Sequence, residues 1–448
     1  MRKRNAGHPR RIDAPITLPP SLEVLLGEEA PLLKAALESP SPVSIRNNPL
    51  KGGHLPGVVV PWCAHGRYLD ERPVFTLDPH LHGGGYYVQE AGSMLLEQAL
   101  LASGLLEHDI LALDLCAAPG GKSTHLASLM SPGSMLIANE TVPQRRLVLA
   151  ENLWKHGRAA TAIGRGQPER FAELDGMFDL IVVDAPCSGE GMFRKDPFAR
   201  QQWSEGLVRN CALLQSSILA SAWQALEPGG VLIYSTCTWE RRENEEQVLR
   251  LIADREARPI HLPIRPEWGV QATDAGYRCY PHRVKGEGFF LSVLRKPGER
   301  VGHLGTSSAA APLPAELAGL VHRPEEFALM MHQDLPHVVP LRWINAVDRL
   351  FGAGLLQHPG IPLAERKGDA WRPHAAWALS TALRNEAFPT LDLDRKAALD
   401  YLRGAALNAS DAQGVRLVRH EGSALGWVQG AGNRWNNRWP EAWRIRMR

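Results

Sequence analysis

Four short apolar runs constrain this chain more than any other feature: "ILALDL" (110–115), "SMLIANE" (134–140), "FDLIVVDA" (178–185) and "GVLIYST" (230–236) recur between amphipathic stretches. A run that is apolar at almost every position suits a strand buried on both faces, as in a parallel sheet covered by helices on each side. The alternation therefore predicts successive βαβ units and an α/β fold. "FFLSVLRKP" (289–297) is expected to close the unit as a late antiparallel strand. Upstream, Ser21 is expected to cap a helix over "LEVLLGEEAPLLKAALES", and "VSIRNNPLKGG" reads as a short strand and a turn, which makes a small α/β module. Downstream, "GERVGHLGTSSAAAPLPAE" reads as a linker. The expected division is a basic tail over 1–20, the α/β module over 21–105, the sheet over 106–297, the linker over 298–316 and an accessory region over 317–448.

Composition narrows the class. With 44% hydrophobic and 22% charged residues in 448, the chain can build more than one core. It contains no uncharged apolar run of about 18 residues, and its basic first residues lack an apolar stretch behind them. A cytoplasmic protein with no membrane contact is the expectation. Six cysteines without a CxxC pair argue against a disulfide framework or a zinc cluster, so reduced thiols and no metal are expected. The net charge is only +2, but Arg2, Lys3, Arg4, Arg10 and Arg11 crowd one end, and Arg434, Arg438, Arg444, Arg446 and Arg448 crowd the other. Either end is a candidate for phosphate contact or a solvated tail.

"ALDLCAAPGGKST" (112–124) ends like a triphosphate-binding loop, yet the frame puts Cys116 at the first glycine, and Pro119 removes a backbone donor from the cradle. A glycine-rich turn between a first strand and a first helix also lets the backbone approach an adenosine cofactor, with an acid at the next strand end accepting ribose hydroxyls. Glu140 stands 20 residues after Gly120 and fits that position. Ligands of an open parallel sheet sit beyond the carboxyl ends of its strands, so Asp184, Cys187 and Cys237 are expected to share one crevice with this loop. A single cysteine is usually a small core residue. Two at adjacent strand exits, in Pro/Ser/Thr/Gly surroundings beside a carboxylate, are not what packing asks for.

"LDLCAAPGGKSTHLA", "VVDAPCSGEGMFRKDP" and "YSTCTWERRENEEQV" resemble the successive motifs of the Nop2/Sun family of RNA cytosine-5 methyltransferases, and "YYVQEAGSM" and "YPHRVKGEGFF" point to the RsmF-type bacterial 16S rRNA branch. The match covers roughly residues 40 to 297; beyond 320 it is loose. The resemblance implies a Rossmann-like class I methyltransferase sheet of seven strands with a C-terminal RNA-binding, PUA- or RRM-like region. It also implies S-adenosyl-L-methionine as cofactor, 16S rRNA or the small ribosomal subunit as partner, and a monomer. A transfer RNA substrate, or a silent RNA-binding assembly factor on the same scaffold, are the alternatives.

C5 of cytosine is a poor nucleophile until a thiolate adds to C6, so the chemistry needs a cysteine. The residues alone do not tell Cys187 from Cys237. The resemblance assigns Cys237 as nucleophile, Cys187 to product release, and Asp184 to the N3/N4 edge of cytosine, where a protonated carboxyl would neutralise charge gathering on the ring. It implies cofactor contacts from Cys116, Ala117, Ala118, Pro119, Gly120, Gly121, Lys122, Glu140 and Asp184. Lys122 is a candidate to orient the cofactor loop or to approach substrate phosphate, against a solvated helix-start lysine, and Arg194 and Lys195 are candidates for RNA backbone contact. The chain departs from the family after the third strand, where "TAIGRGQPERF" offers Gly164 and Arg165 instead of an adenine-binding acid. In "GWVQGAGNRWNNRWPEAWRIR", Trp427, Trp435, Trp439 and Trp443 suit either base stacking or the core of a small β-rich unit, and Pro440 argues against one continuous helix.

Overall fold

The computed structural model describes residues 16–52, 55–302, 312–368 and 370–447. The basic residues of the N-terminal tail, Arg448, Gly53 of the expected turn and residues 303–311 of the expected linker lie outside them. The first helical segment runs Pro20–Leu26, followed by a 3-10 turn, Gly27–Glu29, and a helix, Ala30–Glu38. Ser21 is not its cap. Pro20 occupies the first helical position, where a preset φ and a missing N–H cost nothing, and Ser21 Oγ instead donates to Glu240 Oε2 (3.0 Å). A four-stranded sheet follows, in the order Val58–Val60, Cys63–Leu69, Val43–Asn47, Tyr86–Tyr87.

The four apolar runs and two further segments build the central sheet: β1 (Leu111–Asp114), β2 (Met135–Asn139), β3 (Thr161–Gly164), β4 (Phe178–Asp184), β5 (Leu226–Thr236) and β6 (Phe289–Arg295). Its order is β3-β2-β1-β4-β5-β6, parallel from β3 to β5, with β6 antiparallel to β5. The uninterrupted apolar pattern has its reason in two cores. Ala112, Leu136, Leu180 and Val231 pack on one face, while Leu111, Leu113, Ile137, Ile181 and Leu232 pack on the other. Four principal helices serve the site: α1 (Gly121–Leu129), α2 (Pro143–His156), α3 (Glu205–Ala225) and α4 (Glu245–Arg255).

Among the described residues the sheet has ten strands rather than the expected seven. Gln271–Ala272 and Tyr277–Cys279 extend it beyond β6, Arg258–Pro259 pairs with β6, and Leu356–His358 pairs antiparallel with β3 at the opposite edge. Edge strands expose unpaired N–H and C=O groups, and these short additions cover them.

The C-terminal region carries a five-stranded sheet in the order Thr390–Asp392, Val415–His420, Ser423–Gly430, Gly432–Asn437, Leu407–Ala412. Trp427, Trp435, Trp439 and Trp443 are all buried in its core, with Trp377 and Tyr401. The core reading of these tryptophans therefore holds and the stacking reading does not. Arg438 is drawn to Glu365 (2.8 Å), whereas Arg434 and Arg446 stay exposed. Among the described residues no helix is long and apolar enough to cross a membrane.

Candidate active site

The loop from β1 to α1 is held from below by carbonyl contacts. Ala117 N donates to Asn139 O (2.8 Å), Arg145 Nη2 donates to Ala118 O (2.8 Å) and Asn152 Nδ2 donates to Pro119 O (2.8 Å). Gly120 caps α1 at φ +113°, a conformation that L side chains rarely adopt. Asn139, at the end of β2, donates to Leu115 O and Gly166 O and accepts from Gly166 N, and so joins the loops after β1 and β3. At the position where the family's acid is missing, Gly164 lies against Asn139, and Arg165 turns outward to donate to Gly354 O (3.2 Å).

Above the loop lies a cavity of about 180 Å³, lined by Cys116, Ala117, Ala118, Pro119, Gly121, Lys122 and Asp184 together with Asp114 and the segment from Tyr87 to Glu90. Gly120, Glu140, Cys187 and Cys237 are not on its wall. Glu140 follows β2 directly and is only 4% exposed, so it is no solvated charge. Its carboxylate accepts from Val142 N (2.8 Å) and pairs with Arg145 (3.3 Å). Asp114 ends β1, fully buried, with Oδ2 accepting from Ser123 (2.6 Å) and Oδ1 without a partner. Burial, then the nearby Asp184, pushes its carboxyl up to about 7. Burial likewise pushes the Cys116 thiol up.

Lys122 is not a solvated lysine. Its side chain is 14% exposed, and its Nζ sits 2.8 Å from Asp184 and 5.1 Å from the centre of the Phe289 ring. Burial opposes its charge, but Asp184, with Cys237 and Asp114 behind it, outweighs burial and raises its pKa. The other Asp184 oxygen accepts from Ser235 Oγ on β5 (2.8 Å).

Cys187 follows β4, Cys237 follows β5, and their sulfurs stand 3.1 Å apart. The hydrogen bond to Cys237, then burial, pushes the Cys187 thiol well above its ordinary value. Parallel pairing brings these strand ends side by side, with Asp184 opposite Ser235. A buried network then locks the two thiol loops together. Ser188 N donates to Glu243 Oε2 (3.0 Å), which also accepts from Gln215 Nε2 (2.9 Å), while Ser188 and Thr238 share a hydroxyl bond (3.0 Å). Glu190 Oε2 accepts from Thr238 Oγ1 (3.1 Å) and Trp239 N (2.9 Å), and Gly191 N donates to Cys237 O (2.8 Å). A Cβ on Gly191 would stand 2.5 Å from Gly288 O and 2.7 Å from Cys237 O, so only glycine fits there.

Glu190, Glu243, Gln215, Asn139, Ser235 and Tyr87 are site residues that the motif spacing does not single out. Their one signal is that Glu190, Glu243, Ser235 and Tyr87 fall inside the quoted motifs. Arg194 is a correction: its side chain is 6% exposed, donates to Glu287 Oε2 (2.8 Å) and to Gly286 O, and is spent inside the protein. Lys195 stays partly exposed, 3.5 Å from Glu287.

Three family models match successive parts of the chain: the N-terminal domain of 16S rRNA methyltransferase RsmF over 18–91, the 16S rRNA methyltransferase RsmB/F over 102–295, and the methyltransferase RsmF PUA domain over 388–445. Ribosomal RNA small subunit methyltransferase F of Aeromonas salmonicida is 35% identical over 405 residues, covering 85% of this chain and 84% of the relative. Its counterpart in Salmonella agona is 34% identical over 410 residues, covering 85% and 83%. A solved methyltransferase homolog from Pyrococcus horikoshii, 26% identical, covers 62% of this chain and all of its own length with a TM-score of 0.52.

Proposed function

Since this chain belongs to the RsmF-type 16S rRNA methyltransferases of the Nop2/Sun family, we propose that it forms 5-methylcytidine in RNA of the small ribosomal subunit through a bond between Cys237 and C6 of the target cytosine. The observation that carries this reading is the Cys187–Cys237 pair, 3.1 Å apart, beside the half-buried Lys122–Asp184 ion pair.

The cradle fits S-adenosylmethionine. Asp114 Oδ1 is a buried oxygen without a hydrogen-bond partner, in a residue on the cavity wall, and suits a cationic amino group. Glu140 and the Cys116–Gly121 turn suit the ribose side. When bound, the cofactor supplies an electrophilic methyl group on a sulfonium. Lys122, held by Asp184 at 2.8 Å, keeps a cation in the pocket that receives the base. The Cys237 sulfur adds to C6, and C5 becomes the nucleophilic carbon that takes the methyl group. Asp184, held by Lys122 and Ser235, is placed to receive the N3/N4 edge of the base. Release requires loss of the C5 proton and cleavage of the S–C6 bond. Once the Cys237 sulfur is bonded to C6, the hydrogen bond that chiefly raises the Cys187 pKa is gone. Cys187 loses its proton to solvent and takes the C5 proton, the C–H pair re-forms the C5–C6 double bond and the S–C6 pair leaves with Cys237. The target must be unpaired or flipped out, because C6 is stacked inside a helix.

The test is denaturing electrophoresis of Cys187→Ala after incubation with ribosomal RNA or small subunits and S-adenosylmethionine. A slow, nuclease-sensitive band that vanishes when Cys237 is also replaced is expected. Folded protein that gives no band with any ribosomal RNA or particle overturns the reading in favour of a silent RNA-binding assembly factor.

A further inference from the structure

We propose that a second cavity, separated from the cofactor cleft by Tyr87 and Val88, holds the nucleotide next to the target cytidine; the inference rests on the proposed RNA substrate. This cavity measures about 230 Å³, and its wall includes Arg46, Tyr86, Tyr87, Asn152, Lys155 and His156. Tyr87 and Val88 also line the cofactor cavity, so the two spaces share one wall. The volume is well beyond the roughly 10–15 Å³ that a single water needs.

The lining has the chemistry of a nucleotide site. His156 is buried, with Nε2 engaged by Ser128 Oγ (3.0 Å) and Nδ1 left without a partner. The Tyr87 hydroxyl has no hydrogen-bond partner among the described residues, and its ring packs against Gly121, where a Cβ would come within 3.3 Å of Tyr87 Cε1. An imidazole nitrogen and a hydroxyl offer edge contacts to a base, and the tyrosine rings offer faces on which an unpaired base stacks. Two cationic side chains, Arg46 and Lys155, stand on its wall, the lysine paired with Glu151. Arg46 is fixed by Gln89, Ser128 and Thr124, which leaves part of its guanidinium fork unspent. Burial drives the His156 pKa well below its usual value, and the charges of Arg46, Lys51 and Arg158 nearby add to that in the same direction. Those charges suit a phosphate.

The position is also shared by three parts of the chain. Arg46, Tyr86 and Tyr87 come from the N-terminal module, and Asn152, Lys155 and His156 come from α2. Lys155 Nζ lies over the rings of Trp439 (5.7 Å) and Trp443 (5.6 Å) from the PUA region. A nucleotide seated here would be held by the N-terminal module and α2, with the PUA region backing Lys155, which makes the cavity a reader of sequence beside the target.

The experiment uses the full chain with Cys237→Ala, so that binding is read without turnover. The probe is the 16S rRNA fragment recovered from the Cys187→Ala adduct, carrying 4-thiouridine at either nucleotide flanking the target. A photo-crosslink from one flanking position to the peptide holding Tyr86 and Tyr87, or to the one holding Asn152 to His156, is expected. Leu81→Trp, which fills the cavity, should raise the RNA Kd about tenfold and leave the Kd of S-adenosylhomocysteine within twofold. RNA that binds but crosslinks only elsewhere, or an unchanged RNA Kd in folded Leu81→Trp, overturns the proposal. Failure to obtain any Cys187→Ala adduct instead overturns the methyltransferase reading beneath it.

Discussion

Glu190→Gln should remove a pH dependence built into the two-thiol network. Glu190 is fully buried, with both donors on Oε2 and nothing on Oε1. Burial pushes its carboxyl up from the ordinary 4.5 to about 7, more than its hydrogen bonds to Trp239 and Thr238 can offset. A raised carboxyl pKa means that the folded state holds the proton longer than the unfolded chain. The stability it contributes is full below pH 4.5 and is lost as pH rises through 7. The shift corresponds to about 3 kcal/mol. Glutamine keeps the Oε2 acceptor and places an uncharged amide where Oε1 stood, so the variant should match the wild type within about 1 kcal/mol at pH 5. At pH 9 it should be the more stable by about 3 kcal/mol, or roughly 6–12 °C in Tm for a cooperative unit of this size. Glu240 and Glu243, which also act on Glu190, push in the same direction. Thermal unfolding of both proteins at pH 5 and pH 9 decides the matter. A Tm difference that is equal at the two pH values refutes the argument that Glu190 is a buried acid held neutral.

Further outcomes follow from the same geometry. Lys122→Met removes the cation beside Asp184 and Cys237, and single-turnover methyl transfer should fall about 100-fold with the Tm little changed; a loss under threefold would contradict its placement in the reaction. Arg194→Ala breaks the buried pair with Glu287 and should cost about 3 kcal/mol in unfolding without altering the salt dependence of RNA binding. Lys195→Ala should do the converse, lowering the salt slope by roughly 0.7–0.9 at almost constant Tm, and equal slopes in both variants would return Arg194 to the RNA interface. Gly191→Ala drives a Cβ into Gly288 O and Cys237 O, so it should destabilise the protein by about 1–3 kcal/mol and weaken the adduct trapped in the Cys187→Ala background, read on the same gel.

Much of the sheet was legible because its signal is local. Leu111 to Leu113 and Leu180 to Val183 are apolar at every position, as burial on two faces asks, and a strand's end is also where its polar residues begin. Glu140, Asp184, Cys187 and Cys237 could therefore be placed at strand exits from the sequence. Ser21 misled because a good cap residue stood next to a proline whose own geometry starts the helix. The extra strands at the sheet edges were invisible, since two- and three-residue segments such as Leu356–His358 carry no periodicity and exist only because an edge needs pairing.

The sequence by itself determined which residues sit at the carboxyl ends of parallel strands, because apolar runs and the turn chemistry after them are properties of neighbouring positions along the chain. Only the tertiary structure decided what those residues meet. It set Cys187 against Cys237 across 50 residues and held Lys122 to Asp184. It turned Arg194 inward onto Glu287 and enclosed the C-terminal tryptophans in a core. An arginine or a tryptophan reads the same in a sequence whether it will face water, RNA or the protein interior. Which of these it faces depends on burial and on the partners that strand pairing and layer packing bring to it from distant parts of the chain.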